Sequence, residues 1–192
     1  MQKRLFFALL LTLCSGLLFS QLPDTAIQKL PTAFVYSVYD GDGCRIKLAD
    51  GSIRKVRFAG CDAPEFANGY TSETQPYAKQ SRDSLRKLIL NRNVYIDTLP
   101  MGKAKYSYGR LIVNVYTTDT VPVWVNHASV QKGWSWNVTQ TNVSWVSSGF
   151  PVLMQEAAEQ AKESKFGLWG LKGYKTSPAT WRKKYKRADN TF

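Results

Sequence analysis

The sequence predicts an α+β protein in which short strands close into a small barrel with helices outside it. Five segments rich in β-branched and aromatic residues have the polarity of half-buried strands, and helical patterns follow the third and the fifth. The length of 192 residues suits one domain. Five short strands with a helix after the third are typical of a Greek-key barrel of the OB type. We therefore predict a five-stranded OB-type Greek-key β-barrel with three helices.

The strands are bounded by clear turn signals. Asp50-Gly51 separates the second strand from the third and is a strong signal for a two-residue hairpin loop. With that loop, Cys44 faces Arg57, and the start of the second strand lies near the end of the third. The predicted strands are 33–39, 43–49, 52–60, 93–99 and 108–116.

Three segments have helical patterns. The first begins at Pro76, because proline fits a first helical turn, where its missing N–H is not needed. Ala78, Leu85, Leu88 and Ile89 lie on one face of this helix and predict packing against the sheet. The other two helices are predicted at 121–133 and 150–167, in a domain that spans 31–172 and is followed by a loose basic tail, 173–192.

The first twenty residues differ from the rest of the chain. Lys3 and Arg4 precede an apolar run, and the segment contains no acidic residue, which is typical of a secretory signal peptide. The alternatives are a buried first helix, a membrane anchor, or a lipid attached at Cys14. A signal peptide over 1–20 predicts a secreted or periplasmic protein.

The charge of the chain favours a polyanionic partner. The net charge is +12, which suits nucleic acid, an anionic polysaccharide or a membrane surface, or solubility alone. The single histidine, His127, argues against a zinc site and against a histidine-based catalytic triad. Cys44 and Cys61 remain after cleavage of a signal peptide, and a disulfide and two buried thiols are both open.

Carboxylates and arginines converge at one end of the predicted hairpin. Asp42, Asp62 and Glu65 would raise one another's pKa without a cation, and their oxygen atoms suit calcium or magnesium. Each of these residues taken alone is explained better as a turn residue. Arg57 and Arg110 change this interpretation, because arginine forks bind phosphate and a cation–guanidinium cluster stabilises a phosphodiester transition state.

The chain resembles the thermonuclease family, the calcium-dependent secreted nucleases of staphylococcal type. The matching segments occur in the order of that family and cover residues 33–170. They are "DGDG" at 40–43, "VRFAGCDAPE" at 56–65, "YGRLIVNVY" at 108–116, "VNHASVQKG" at 125–133 and "GLWG" at 167–170. "SPATWR" at 177–182 resembles a late element of many relatives.

The resemblance implies a metal site and an attacking water. Calcium would be held by Asp42, Asp62 and the backbone carbonyl of Ala63. Glu65 would position or deprotonate the water. Gly43 departs from a threonine that is common at this place in the family, and Ala63 departs from a threonine in some members.

The resemblance also implies how substrate is bound. Arg57 and Arg110 would grip the scissile phosphate of DNA or RNA, and Tyr108 would contact the nucleotide. Attack by water would leave 3′-phosphate ends. Trp136 and Trp145 are candidates for a second stacking aromatic, although packing is the simpler role for Trp136.

Two functions follow from these patterns. One is a secreted calcium-dependent nuclease, expected to be a monomer because no segment implies a stable protein partner. The alternative is a non-catalytic OB-fold module that binds nucleic acid or another polyanion. A binding module needs the basic surface but gains nothing from three carboxylates that repel phosphate, so the sequence favours the enzyme.

Overall fold

The computed structural model describes residues 24–98, 106–107, 109–139, 150–173 and 176–187. The secondary structure in these ranges runs in the following order: α1 (Asp24–Ile27), β1 (Thr32–Val38), β2 (Gly43–Lys47), β3 (Ile53–Phe58), β4 (Cys61–Asp62), α2 (Ala78–Ile89), β5 (Asn93–Thr98), β6 (Tyr106–Ser107), β7 (Arg110–Thr117), α3 (Val125–Gln131), β8 (Trp136–Asn137), α4 (Phe150–Glu163), a 3₁₀ turn (Gly167–Gly170) and α5 (Pro178–Lys184).

Five strands close into a barrel, as predicted. Antiparallel pairs join β1 to β2, β2 to β3, β1 to β5 and β5 to β7. The barrel closes through a parallel pair between β3 and β7, in which Val56 lies opposite Leu111. The α+β class and the OB-type barrel are therefore confirmed.

The barrel core is built by side chains that alternate along the strands. Val35, Ile46, Val56 and Val113 are each completely buried. Burying one such side chain contributes about 1.5–3 kcal/mol relative to leaving it in water. Helix α2 covers one side of this core with Leu85 and Ile89, as its periodicity predicts.

The hairpin between β2 and β3 differs from the prediction by one residue. Cys44 lies opposite Val56, and Arg57 lies opposite Gly43. The loop has three residues instead of two, because Gly51 takes a left-handed conformation with φ +80° and its N–H bonds to Leu48 O at 3.0 Å. A three-residue loop that ends in a left-handed glycine is a common alternative to the two-residue turn.

The three predicted helices are present but shorter. Helix α2 begins at Ala78, since Tyr77 before it has a left-handed φ of 74°, and Pro76 is therefore not in its first turn. Helix α3 begins at Val125 because Trp124 is extended and bridges to the barrel. Helix α4 ends at Glu163, just before Lys165 adopts a left-handed φ of 54°.

The segment predicted as a loose tail contains an ordered helix. Ser177 caps α5 by accepting a hydrogen bond from the Thr180 N–H at 3.2 Å. The indole N–H of Trp181 donates to Glu73 O at 3.0 Å, so the helix is attached to the loop before α2. The prediction of a loose tail is wrong for residues 178–184. Their basic composition suggested a solvated segment, but Trp181 attaches this helix to the loop before α2.

The predicted signal peptide, residues 1–20, lies outside the described residues. Within the ranges that the structure describes, no helix has the length and apolarity needed to cross a bilayer.

Candidate active site

The turn between β1 and β2 contains a buried carboxylate, that of Asp42. Asp42 is 3% exposed, and its Oδ2 accepts a hydrogen bond from the Ala63 N–H at 2.8 Å. The Asp42 N–H bonds to Asp40 Oδ1 at 3.1 Å, which holds the turn. The turn lies so close to α2 that a Cβ on Gly41 would be 1.8 Å from Ser81 Oγ. Asp42 therefore has a fixed position in the fold.

A second carboxylate lies a short distance beyond the end of β3. Asp62 is 2% exposed and lies on β4, where it pairs with Trp136 of β8. Because Asp42 starts the hairpin and Asp62 follows its end, the two carboxylates meet at the same end of the barrel. This is the convergence that the hairpin predicts, and the one-residue change of register does not remove it.

Arg57 links the two aspartates. Its Nη2 lies 2.7 Å from Asp62 Oδ1 and 3.4 Å from Asp42 Oδ2. The same nitrogen donates to the Cys61 carbonyl at 3.2 Å. The negative charge of Asp42 is the main cause of a raised pKa of Arg57, which is therefore permanently charged.

Arg110 lies at the same end of the barrel as Arg57. It is the first residue of β7, the strand that runs parallel to β3, and it is half-buried. Burial raises the pKa of Asp40 and of Asp42, and the positive charge of Arg110 opposes this rise. Both predicted arginines thus belong to one electrostatic cluster with the carboxylates.

Glu65 is held by a residue that the sequence did not predict as part of the site. Arg182 of α5 pairs with Glu65 Oε1 through Nη1, and it also donates to Asp62. The resemblance of "SPATWR" to a late family element marks the segment but assigns no role to its arginine.

Burial and the neighbouring guanidinium groups have opposite effects on the pKa values of the carboxyl groups in this cluster. Burial raises the pKa of Asp42 and, together with the charge of Asp42, raises that of Asp40 well above its usual range. Burial also raises the pKa of Glu65, and the hydrogen bond and charge of Arg182 counteract this rise. Perturbed carboxylates that converge with guanidinium groups are typical of functional sites.

Comparison with known proteins identifies the family. The model of the staphylococcal nuclease homologue family matches residues 55–170. The chain belongs to this family. The matched range includes Arg57, Asp62, Glu65 and Arg110, and it begins after Asp42.

Individual relatives of this staphylococcal nuclease homologue are named endonucleases. A probable endonuclease of Schizophyllum commune is 29% identical over 151 residues, which are 74% of this chain and 49% of that protein. One of Pyricularia oryzae is 27% identical over 72% of this chain and 52% of that protein. An uncharacterized endonuclease of Haemophilus influenzae is 28% identical over 81% of this chain and 75% of that protein. The chain thus spans about half the length of the first two relatives.

The departure at Gly43 from the family's threonine has a structural reason. A Cβ on Gly43 would lie 2.5 Å from the hydroxyl oxygen of Tyr39 and 2.9 Å from its Cζ. Tyr39 is held in this position by a hydrogen bond from its hydroxyl to Val56 O at 3.0 Å. The tyrosine ring therefore takes the space that a larger residue at position 43 needs.

The sequence predicted three aromatic residues as candidates for nucleotide contacts and a structural or solvated position for the single histidine. Tyr108 and Trp145 lie outside the described residues. Trp136 packs its ring on Trp169, with centroids 4.5 Å apart, which agrees with a packing role. His127 stacks on Trp124 at 5.5 Å, as expected of a structural histidine.

The two cysteines are free and buried in this structure. Cys61 donates from Sγ to Asn126 O at 3.4 Å, and burial raises its pKa to about 12. Burial also raises the pKa of Cys44. Both side chains therefore act as small core residues and not as a disulfide.

The donor set at this site fits a hard divalent cation. Calcium takes carboxylate and carbonyl oxygens as ligands, and Asp42 and Asp62 provide two buried carboxylates that share one guanidinium. Among the described residues, no three His, Cys, Asp or Glu side chains are grouped closely enough to hold a metal ion as they stand. Both oxygens of Asp62 already accept hydrogen bonds from Arg57 or Arg182, so a cation held there would compete with these guanidinium groups.

Proposed function

We propose that this chain is a secreted, calcium-dependent nuclease that hydrolyses phosphodiester bonds of DNA or RNA and leaves 3′-phosphate ends. Membership of the staphylococcal nuclease homologue family supports nuclease chemistry. The observation that carries the proposal is the linked, buried pair Asp42 and Asp62, with Arg57 between them and with Glu65 and Arg110 at the same end of the barrel.

Asp42 and Asp62 would hold the cation, with the Ala63 carbonyl as a third ligand. Bound calcium would neutralise negative charge on a phosphate oxygen, which a cluster of carboxylates alone would repel. The Ala63 N–H fixes Asp42 Oδ2 at 2.8 Å and so limits rotation of that carboxylate. The side chain at position 63 takes no part in this contact, and alanine is sufficient there.

Arg57 and Arg110 would bind the phosphate undergoing attack. A guanidinium donates two parallel hydrogen bonds to phosphate oxygens and cannot lose its charge at neutral pH. Arg57 is oriented by Asp62 at 2.7 Å, so its position is set before substrate arrives. Fixed donors of this kind stabilise charge that grows in the transition state.

Glu65 would position or deprotonate the attacking water. Its half-buried carboxylate has a pKa raised by burial, which brings a general base closer to neutral pH. Arg182 contacts both Glu65 and Asp62, so the Glu65 carboxylate lies beside a proposed cation ligand.

Cleavage of a labelled oligonucleotide tests the nuclease proposal. Single-stranded DNA and RNA of one sequence are incubated with the protein in calcium, in magnesium and in chelator, and the product ends are mapped. We expect cleavage in calcium, loss of cleavage in chelator and 3′-phosphate ends. Binding of the oligonucleotide without cleavage in any of these conditions would favour the OB-fold binding module.

Secretion is part of the proposal and has a separate test. The basic and apolar residues 1–20 support export, with the mature chain beginning near Gln21. Intact-mass measurement of exported protein decides this point. A mass that retains residues 1–20, or a lipid on Cys14, contradicts simple secretion.

A further inference from the structure

Arg182 contacts two of the proposed site carboxylates at once. Its Nη1 and Nη2 donate to Asp62 Oδ1 and Oδ2 at 3.0 and 2.9 Å, in the parallel geometry of an arginine–carboxylate fork. Nη1 also donates to Glu65 Oε1. One guanidinium thus sets the position of Glu65 relative to Asp62, although it lies 117 residues away from Glu65 in the sequence.

Helix α5 is attached to the loop that follows Glu65. Ser72 N donates to Tyr185 O at 2.9 Å, and Arg187 N donates to Tyr70 O at 3.0 Å. Arg187 Nε donates to Asn68 O at 2.8 Å. These bonds, with that from Trp181 to Glu73, fix segment 176–187 along loop 66–75.

Gln75 joins the same loop to Glu65 and to the segment before α5. The backbone N–H of Glu65 donates to Gln75 Oε1 at 2.9 Å, and Gln75 N donates to Glu65 O at 2.7 Å. Gln75 Nε2 donates to Thr176 O at 3.0 Å, and the side chain is 1% exposed. The backbone of Glu65 and the helix that carries Arg182 are therefore parts of one hydrogen-bonded unit.

We propose that Arg182 is a positioning residue of the nuclease site, which acts on the reaction by holding the carboxylate of Glu65 beside Asp62. This inference rests on the nuclease function proposed above. Both terminal nitrogens of Arg182 already donate to carboxylates, so its role differs from the phosphate binding assigned to Arg57 and Arg110. The active site thereby extends to Arg182 of α5, whose guanidinium, alone among the described side chains of this helix, contacts the carboxylates.

A double-mutant cycle tests this role. Arg182→Ala is expected to lower kcat by about 10–100-fold, because a small misplacement of a reacting group has effects of this order, with a smaller change in KM. Arg182→Lys is expected to recover only part of kcat, since lysine keeps the charge and loses the fork. In a Glu65→Gln background, Arg182→Ala is expected to change kcat by less than about twofold, because the residue through which it acts has been altered.

Controls separate positioning from folding. Lys183→Ala changes an exposed basic residue of the same helix and is expected to leave kcat within about twofold. Melting temperatures of all variants are measured in parallel, and Arg182→Gln replaces Arg182→Ala in the cycle if the alanine variant does not fold. Non-additive melting temperatures for Arg182 and Glu65 give a readout of their contact that does not depend on activity.

Three results overturn the proposal. The first is a wild-type kcat for Arg182→Ala. The second is a loss of kcat from Arg182→Ala that is equal in the wild-type and the Glu65→Gln backgrounds, which means that Arg182 acts independently of Glu65. The third is a raised kcat, which means that the contact restrains the site. Absence of cleavage by the wild-type protein instead overturns the nuclease function itself, and the positioning role with it.

Discussion

Arg57 Nη2 lies 2.7 Å from Asp62 Oδ1 and 3.4 Å from Asp42 Oδ2, so a single guanidinium holds together two buried aspartates. Such a group has two consequences. It permits the carboxylates to be buried near each other, and it presents a positive charge at the place where the proposed reaction develops negative charge. The predictions below separate these structural and chemical roles.

The two strand arginines are expected to act on kcat. Arg57→Lys and Arg110→Lys keep the charge and lose the forked donor, and removal of one contact to a developing oxyanion typically lowers kcat about 10²–10³-fold. Glu65→Gln is expected to lower kcat by about 10²-fold or more if it serves as base. Steady-state cleavage of a labelled oligonucleotide at saturating calcium measures each effect.

Lysines to which the proposal assigns no part in the reaction provide the control for these variants, and of the two chosen, Lys103 lies outside the described residues. Lys103→Ala and Lys184→Ala are expected to weaken substrate binding and to reduce its salt dependence, with kcat nearly intact. Near wild-type kcat for all three site variants would contradict the assigned roles and favour the binding module.

Calcium is expected to raise the melting temperature. A ligand at about 100 times its Kd stabilises the native state by about 2.7 kcal/mol, which is about 5–10 °C for a chain of this length. Asp42→Asn and Asp62→Asn are expected to reduce or abolish the shift, because they remove proposed ligands. Differential scanning calorimetry in calcium and in chelator measures it, and identical melting curves in both would count against a calcium site.

The stability of the fold is expected to depend on His127 below neutral pH. Burial lowers the pKa of His127 from its ordinary 6.5, so the unfolded chain binds this proton more readily than the folded protein does. The contribution of the buried neutral His127 ring to the free energy of unfolding is fully present above about pH 6.5. This contribution is lost as the pH falls through the folded-state pKa of His127. Denaturant unfolding at about pH 7.5 and pH 5.5, on either side of the ordinary histidine pKa, should show a smaller loss for His127→Gln than for the wild type; an equal loss would contradict the burial of this ring.

The thiols of Cys44 and Cys61 are expected to be reduced and protected. Native protein should react slowly with a thiol reagent, because both side chains are buried and their pKa values are raised. After unfolding without reductant, both residues should be labelled and identified by peptide mapping. An unlabelled pair after unfolding would show that a disulfide forms.

Gly43→Ala is expected to destabilise the protein by about 1–3 kcal/mol, the usual range for overpacking. The new Cβ would require Tyr39 to move, since its hydroxyl lies 2.5 Å away. Gly69→Ala is the control, because a Cβ there would meet no atom within 4 Å. Urea unfolding compares the two, and equal stabilities would show that the Tyr39 ring moves at no cost.

Local patterns predicted the barrel and the convergence of Asp42 and Asp62 at one end of it. Strand alternation places Val35 and Ile46 inside, and a hairpin must bring the start of one strand near the end of the next. The register was wrong by one residue because Asp50-Gly51 suits two turn geometries, and only the conformation of Gly51 distinguishes them.

Arg182 could not be found by the same reasoning. It lies 120 residues after Asp62, in a short basic helix whose composition is typical of a solvated segment. Its contact depends on how α5 packs along loop 66–75, and no periodicity in the sequence encodes that packing. The resemblance of "SPATWR" to a late family element was the one available signal.

The parallel pair between β3 and β7 has a consequence for how the protein folds. Val56 and Leu111 pair across a long intervening segment that contains α2 and β5, and such non-local pairing slows folding relative to a local hairpin. Arg57 and Arg110 lie on these two strands, so we expect the assembled phosphate site to appear with barrel closure. During refolding, recovery of cleavage should then lag behind the first β-sheet signal, and activity becomes a kinetic probe of closure.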